Sequence, residues 1–227
     1  PYVGTEAAGP TIDDFNGDNF DHGPLGFIGG ASVYHLRTGG RPIGQSKPLP
    51  GGPNWGAGWK SSVQEDYQRT LPIYAQGTVM AYRDTYLSLD PTYKDSHGQP
   101  LLRMTFDWHE NEFAMIKHAI EGATEIGKSI SGSVQVNLRK SGTHFDTRAY
   151  QSTHTTGGAI MGDSPANSVV NRYLQSWDVP NVFVMGACVF PQNIGYNPTG
   201  LVAALTYWSV DHIKKKKKKN PGPMVQA

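Results

Sequence analysis

A lone cysteine, Cys188, is the first restriction this 227-residue chain places on its own chemistry. It leaves no internal disulfide and no cysteine-based metal cluster. Its setting, VFVMGACVF, reads as a small buried thiol in a core strand rather than a nucleophile. Long apolar runs are also missing, since no stretch approaches the roughly 18 residues of a membrane-spanning helix. No targeting signal is present in this sequence, and a start at Pro1-Tyr2-Val3 without methionine reads as an interior cut.

Basic surface is scarce as well. The 20 lysines and arginines nearly balance the 19 acids, but six of them form one run, Lys214 to Lys219. Without that run, 14 bases face 19 acids, which leaves no basic stripe for a nucleic acid. The run itself reads as a solvated tail. No metal site stands out either. DDFNGDNFDH (13–22) alternates carboxylates, yet Gly17 is at the wrong offset for a calcium loop and Leu25 falls where a bidentate carboxylate belongs. Asx turns explain that stretch better.

What the chain has in abundance is glycine (27) and proline (16), crowded into residues 1–60. That region reads as loop, with GPLGFIGGASVYHL its one segment apolar enough to be a buried strand. PIGQSKPLPGGPNWGAGW reads as an extended surface loop anchored by Trp55 and Trp59. LPIYAQGTVMAY, TYLSL and LLRMTFDW then look like antiparallel strands of one sheet. Phe113, Ile116, Ile120, Ala123 and Gly127 recur at spacings of three and four, which predicts a helix over 111–127 packing one side on that sheet. His118 falls opposite that face and is expected in solvent. Residues 130–138 and 148–160 read as extended, Val182 to Val189 as a fully buried strand, and Leu201 to Ile213 as a buried helix apolar nearly all round. The fold class is α+β, mostly antiparallel sheet with helices on one side. The divisions are 1–70, loop-rich; 71–160, sheet and helix; 161–213, strand, loop and helix; and 214–227, lysine run and tail.

Two segments draw attention together: STHTTGGAIMG (152–162) and NVFVMGACVFPQNIGYNPTGLVAAL (181–205). Each has a plain explanation, His154 as a turn histidine and Asn197 as the cap of a helix with Pro198 at its first position. Side by side they suggest more. A strand ending in Gly186 and Ala187, a loop, and a helix starting Pro-Thr-Gly would expose backbone N–H groups and the positive end of a helix dipole, and Gly200 would let a flat ligand approach. A neutral imidazole and an amide nearby can take a hydroxyl proton and hold the alkoxide, which is alcohol oxidation when a hydride acceptor is present.

These segments resemble the glucose-methanol-choline (GMC) oxidoreductases. HTTGGAIMG is similar to the family's His-x-x-Gly segment, and NVFVMGACVFPQNIGYNPTG to its terminal strand–loop–helix. Within the family, PANSVVNRYLQSWDVPN, PQNIGYNPTG and NPGPMVQA are similar to the flavoprotein subunit of the gluconate dehydrogenase branch and related sugar-acid and polyol dehydrogenases. IDDFNGDNFDHGPLGFIGG and GQPLLRMTFDWHENE extend the likeness over most of the chain.

The resemblance implies FAD as cofactor, His154 as catalytic base and Asn197 as its partner on the substrate hydroxyl. Gly186 and Ala187 would lie along the cofactor, with Pro198 and Thr199 presenting the helix start to the ring, where the dipole favours negative charge. Gln192, Asn193 and His109 are candidate substrate contacts. The implied substrate is a sugar acid, sugar or polyol, with electrons passing to a cytochrome or quinone. The implied partners are a cytochrome c subunit and a small subunit, at the periplasmic face of a bacterial inner membrane. A pyranose-oxidase-like oxidase using oxygen is the competing enzyme reading.

The Gly-x-Gly-x-x-Gly fingerprint of a dinucleotide-binding half is not matched. GFIGGAS and GGPNWGAGW lack the flanking strand, helix start and distant acid. The chain therefore reads as the C-terminal, substrate-side half, lacking the N-terminal FAD-binding Rossmann half, and expected by itself to bind FAD weakly and to be inactive.

Overall fold

The structure, a computed structural model, describes residues 8–16, 23–36, 52–66, 70–130, 134–150 and 152–219. The fold is α+β, as expected, and the chain divides into two compact units. The first comprises residues 1–77 and 109–143, and the second 78–108 and 144–227. This division follows spatial packing, whereas the four-part division of the sequence follows chain order.

In the first unit, strands β1 (Ala8–Ile12), β2 (Ala31–Leu36) and β3 (Ile73–Gly77) form an antiparallel sheet in that order. The central strand pairs Ile12 with Val33 on one side, and Val33 with Ala75 on the other. Helix α1 (Gly56–Asp66) lies between β2 and β3 in the chain, and α2 (Glu110–Ile130) follows in the second part of the unit. Small residues let α2 come close to the sheet: Ala31 and Val33 of β2 meet Ala119 and Ala123 of α2, with Ile12, Phe15, Ile73 and Ala75 around them. A Cβ at Gly77 would collide with Cε of Met115, so the strand end is shaped to that side chain.

Helix α2 starts with Glu110 and Glu112 and has Lys128 in its last turn, in keeping with the macrodipole. Glu112 Oε2 also accepts the amide of His109 at 3.3 Å, one half of a capping box. The buried stripe is Phe113, Met115, Ala119, Ala123 and Gly127, whereas Ile116 and Ile120 are half-buried. The observed face is thus rotated from the expected one, because alanines approach the sheet where isoleucines could not. The rotation also overturns the expectation for His118. It is half-buried, with its ring 5.8 Å from that of Phe15 and 5.7 Å from that of Phe27.

Two further expectations for this region need correction. Residues 56–66 form a helix rather than loop, and Trp55, at 85% exposed, is not buried as an anchor would be; Trp59 is half-buried. Most of PIGQSKPLPGG lies outside the described residues, as do 17–22 of the acidic stretch. The part described there turns through a bond from the Asn16 amide to the Asp13 carbonyl at 2.8 Å.

In the second unit, β4 (Tyr86–Lys94) and β5 (Pro100–Thr105) form an antiparallel hairpin, separate from the three-stranded sheet. One continuous sheet was expected, but strand pairing ends at Gly77. The hairpin turn is closed by Asp95, whose Oδ1 accepts the amides of His97 and Gln99 at 2.8 and 2.9 Å. Beside it in sequence, Phe106, Trp108, Phe145 and Tyr150 pack edge to face, with centroids 4.8 to 5.8 Å apart along the Phe106–Phe145, Phe106–Trp108, Trp108–Tyr150 and Trp108–Phe145 contacts.

The core of this unit is Val170, Leu174, Val189 and Phe190, joined by Met161, Val184, Cys188, Val202 and Leu205. Residues 182–189 are not a strand. Their bonds go to loops, from Val184 to the Leu174 carbonyl at 2.9 Å and from Ser176 to the Val182 carbonyl at 2.9 Å, and Ala187–Val189 close a 3-10 turn. Cys188 is half-buried in that turn. Residues 134–138 and 148–160 likewise carry no strand among the described residues.

Leu174 is buried with φ +64°, a left-handed backbone that side chains disfavour. Asn171 holds the turn: its Oδ1 accepts the amides of Tyr173 and Gln175 at 2.8 and 3.2 Å. The buried Gln175 side chain donates to the Pro180 carbonyl at 2.7 Å.

Helix α3 (Thr199–His212) reaches this core through Val202 and Leu205. It is tied to residues 172–173 by Ser209 Oγ donating to the Tyr173 carbonyl at 2.7 Å, and by His212 stacking on Tyr173 with centroids 3.7 Å apart. Burial all round was expected, yet Tyr207 is 79% exposed, and Leu201, Trp208 and Val210 are exposed too. An all-apolar helix is covered only where a partner surface exists, and among the described residues of this unit that surface reaches one side.

Candidate active site

The two segments singled out in the sequence lie side by side in the second unit. Amides of Gly157, Ala159 and Met161 donate to the carbonyls of Ala187, Cys188 and Val189 at 3.1, 3.0 and 2.8 Å. Such a ladder needs unusual backbone at its start. Gly157 and Gly158 have φ +83° and +104°, and a Cβ on Gly158 would lie 2.5 Å from Leu87 Cδ1. The glycine pair after His154 is therefore required by local geometry as well as by approach.

His154 is half-buried, and its main chain is held at both ends. Its amide donates to Ser152 Oγ at 3.0 Å, and its carbonyl accepts Asn193 Nδ2 at 2.8 Å. Asn193 also accepts the Gly195 amide through Oδ1 at 3.1 Å and pairs with Val79 through the backbone, at 2.9 and 3.4 Å. Gln192 is exposed.

Asn197 is exposed and does not cap the helix. The cap position of α3 is Pro198, which is buried, and no side chain accepts there. The first turn contains no acid, Thr199 and Gly200 are exposed, and a Cβ on Gly200 would meet nothing within 4 Å. An uncapped helix start of this kind offers N–H donors to an electron-rich edge. Gly186, with φ +152°, and the half-buried Ala187 stand at the entry to the 3-10 turn. This donor set fits the carbonyl-bearing edge of a planar ring that gains negative charge on reduction, as that of a flavin does. His109 belongs to the first unit, where its carbonyl opens α2 by accepting the amides of Glu112 and Phe113.

One pair escaped the sequence reading. Asp107 accepts His144 Nδ1 at 2.5 Å and the amides of Phe145 and Trp108 at 2.8 and 2.9 Å. The His144 bond first, then the two amides, holds the Asp107 carboxyl at about 2, and the same bond and the carboxylate charge raise the exposed imidazole. No spacing signal links residues 37 positions apart. Among the described residues, no group of three or more His, Cys, Asp or Glu is placed to hold a metal ion, and no described helix is long and apolar enough to cross a membrane.

Comparison with known proteins gives this geometry a family. Residues 81–206 match the C-terminal family model of the GMC oxidoreductases, and the chain belongs to that family. It is 51% identical over 228 residues to the gluconate 2-dehydrogenase flavoprotein of Pantoea cypripedii, covering 100% of this chain and 37% of that protein. It is also similar to the 2-methyl-1,2-propanediol dehydrogenase of Mycolicibacterium austroafricanum, at 29% identity over 71% of this chain and 28% of that protein. A third relative is the fructose dehydrogenase large subunit of Gluconobacter japonicus, at 28% identity over 63% of this chain and 25% of that protein. The chain thus spans only about a quarter to two-fifths of the length of these relatives.

Proposed function

We propose that this chain is the substrate-side part of an FAD-dependent dehydrogenase that oxidises a hydroxyl of a sugar acid, sugar or polyol. The observation that carries the reading is the ladder between 157–161 and 187–189, which brings the His154 segment to the 3-10 turn that leads on to Asn197 and α3. The relatives named above, a gluconate, a diol and a fructose dehydrogenase, support the substrate class.

In this mechanism, neutral His154 removes the hydroxyl proton of the substrate. Asn197, whose exposed amide is not used as a cap, donates to the same oxygen and stabilises its developing charge. Gly186, Ala187, Pro198 and Thr199 would hold the flavin, with the uncapped amides of α3 favouring negative charge on its ring edge. When bound, the flavin supplies a hydride acceptor, and the electrons pass on to a cytochrome or quinone. The FAD-binding half, a cytochrome c subunit and a small subunit would be partners at the periplasmic face of the membrane.

Rapid-mixing measurement of flavin reduction tests this. In the flavin-loaded protein containing this chain, His154→Ala should slow reduction by substrate at least ~100-fold; near-normal reduction would remove His154 from the role of base. Hydrogen peroxide formation in place of reduction of an artificial acceptor would turn the dehydrogenase into an oxidase.

A further inference from the structure

We propose that Asn193 is a positioning residue that sets the placement of His154 and Asn197 together, rather than a substrate contact. The inference rests on the reading of those two residues as the reacting pair. Both ends of the Asn193 amide are engaged inside the chain. Nδ2 donates to the His154 carbonyl at 2.8 Å, across 39 residues of sequence, and Oδ1 accepts the Gly195 amide at 3.1 Å, two residues before Asn197. One side chain therefore bonds to the backbone of both segments.

The bridge is itself fixed. The Asn193 amide donates to the Val79 carbonyl at 2.9 Å, and its carbonyl accepts the Val79 amide at 3.4 Å, the isolated antiparallel pair of this region. Gly195 is buried with φ +70°, so the turn leading to Asn197 has a left-handed backbone stabilised by the Oδ1 bond. Only a side chain with a donor on one branch and an acceptor on the other serves both segments. Aspartate has the same shape but sets a second acceptor against the His154 carbonyl. Two reacting groups lose rate steeply when either is displaced by about 1 Å, so the bridge acts on turnover and not on substrate affinity.

Two measurements test this, the first without flavin or substrate. Hydrogen exchange followed by mass spectrometry should be faster in Asn193→Ala for peptides spanning both 152–158 and 194–198, while peptides of 170–176 stay unchanged. In the flavin-loaded protein, Asn193→Ala and Asn193→Asp should each lower kcat about 10-fold or more, with KM changed by less than about threefold. A raised KM at unchanged kcat would make Asn193 a substrate contact and overturn the proposal, as would unchanged exchange in either peptide. Should His154→Ala leave flavin reduction intact, the catalytic reading fails, while the exchange result still reports on the bridge alone.

Discussion

The ring of Phe15 lies on Gly122 of α2 so closely that a Cβ at that position would overlap its Cζ. A glycine inside a 21-residue helix normally costs about 1 kcal/mol relative to alanine. Here Gly122→Ala should be destabilising, because a rigid ring held by His118 must move, at about 1–3 kcal/mol for overpacking. In a Phe15→Ala background the same substitution should become stabilising by up to about 1 kcal/mol. Urea unfolding of the parent protein and the three variants checks the reversal of sign.

Asn197 separates cap from chemistry. A capping asparagine replaced by alanine costs about 1 kcal/mol, whereas Asn197 makes no cap bond. Asn197→Ala should therefore change unfolding free energy by less than about 0.5 kcal/mol. If the proposed function holds, it should slow flavin reduction by about 100-fold or more. A variant that loses stability and keeps its rate would restore the cap reading.

The glycine after Gly157 is constrained twice over. Gly158→Ala meets both Leu87 and a disfavoured φ, so a loss of about 1–3 kcal/mol is expected. Trimming Leu87 to alanine removes the collision but not the backbone strain, and the double variant should recover only part of the loss. Denaturant midpoints of the two variants measure the two contributions.

The Asp107–His144 pair has a defined pH window. Asp107 is depressed from 3.8 to about 2, so its share of stability is present above about pH 4 and is lost as pH falls toward 2. His144 is raised above 6.5, so its share is complete below pH 6.5 and is lost as pH rises through its folded value. The pair is therefore fully formed between about pH 4 and 6.5. By NMR, the His144 imidazole should titrate above 6.5, and Asp107→Asn should return it to that ordinary value. An imidazole unmoved by Asp107→Asn would contradict the pair.

The parts of this fold legible from sequence are those governed by local period. Helix α2 was readable from its apolar spacing. Its rotation was not readable, because the choice of Ala119 over Ile120 as the buried neighbour depends on how close the sheet comes. Val182–Val189 has the composition of a strand, but Gly186 and the 3-10 turn break it, and apolar composition alone does not tell ladder from loop. The His154 and Gly186 segments drew attention together for the chemistry their residues offer jointly, but the bond between residues 157 and 187 has no local pattern that announces it. The Asn193 bridge needs the three-dimensional path of two loops to be seen at all.

Leu174 carries a consequence for the order of assembly. A leucine with φ +64° costs the turn at 171–175 backbone energy, and the local Asn171 bonds to the Tyr173 and Gln175 amides stand against that cost. Burial of Leu174 against Val170, Val189 and Phe190 adds to those bonds, the last two residues contributed from a later stretch of sequence. The turn therefore reaches its full stability only once residues 189–190 pack on it, and variants that weaken that packing should speed unfolding while leaving the folding rate nearly unchanged.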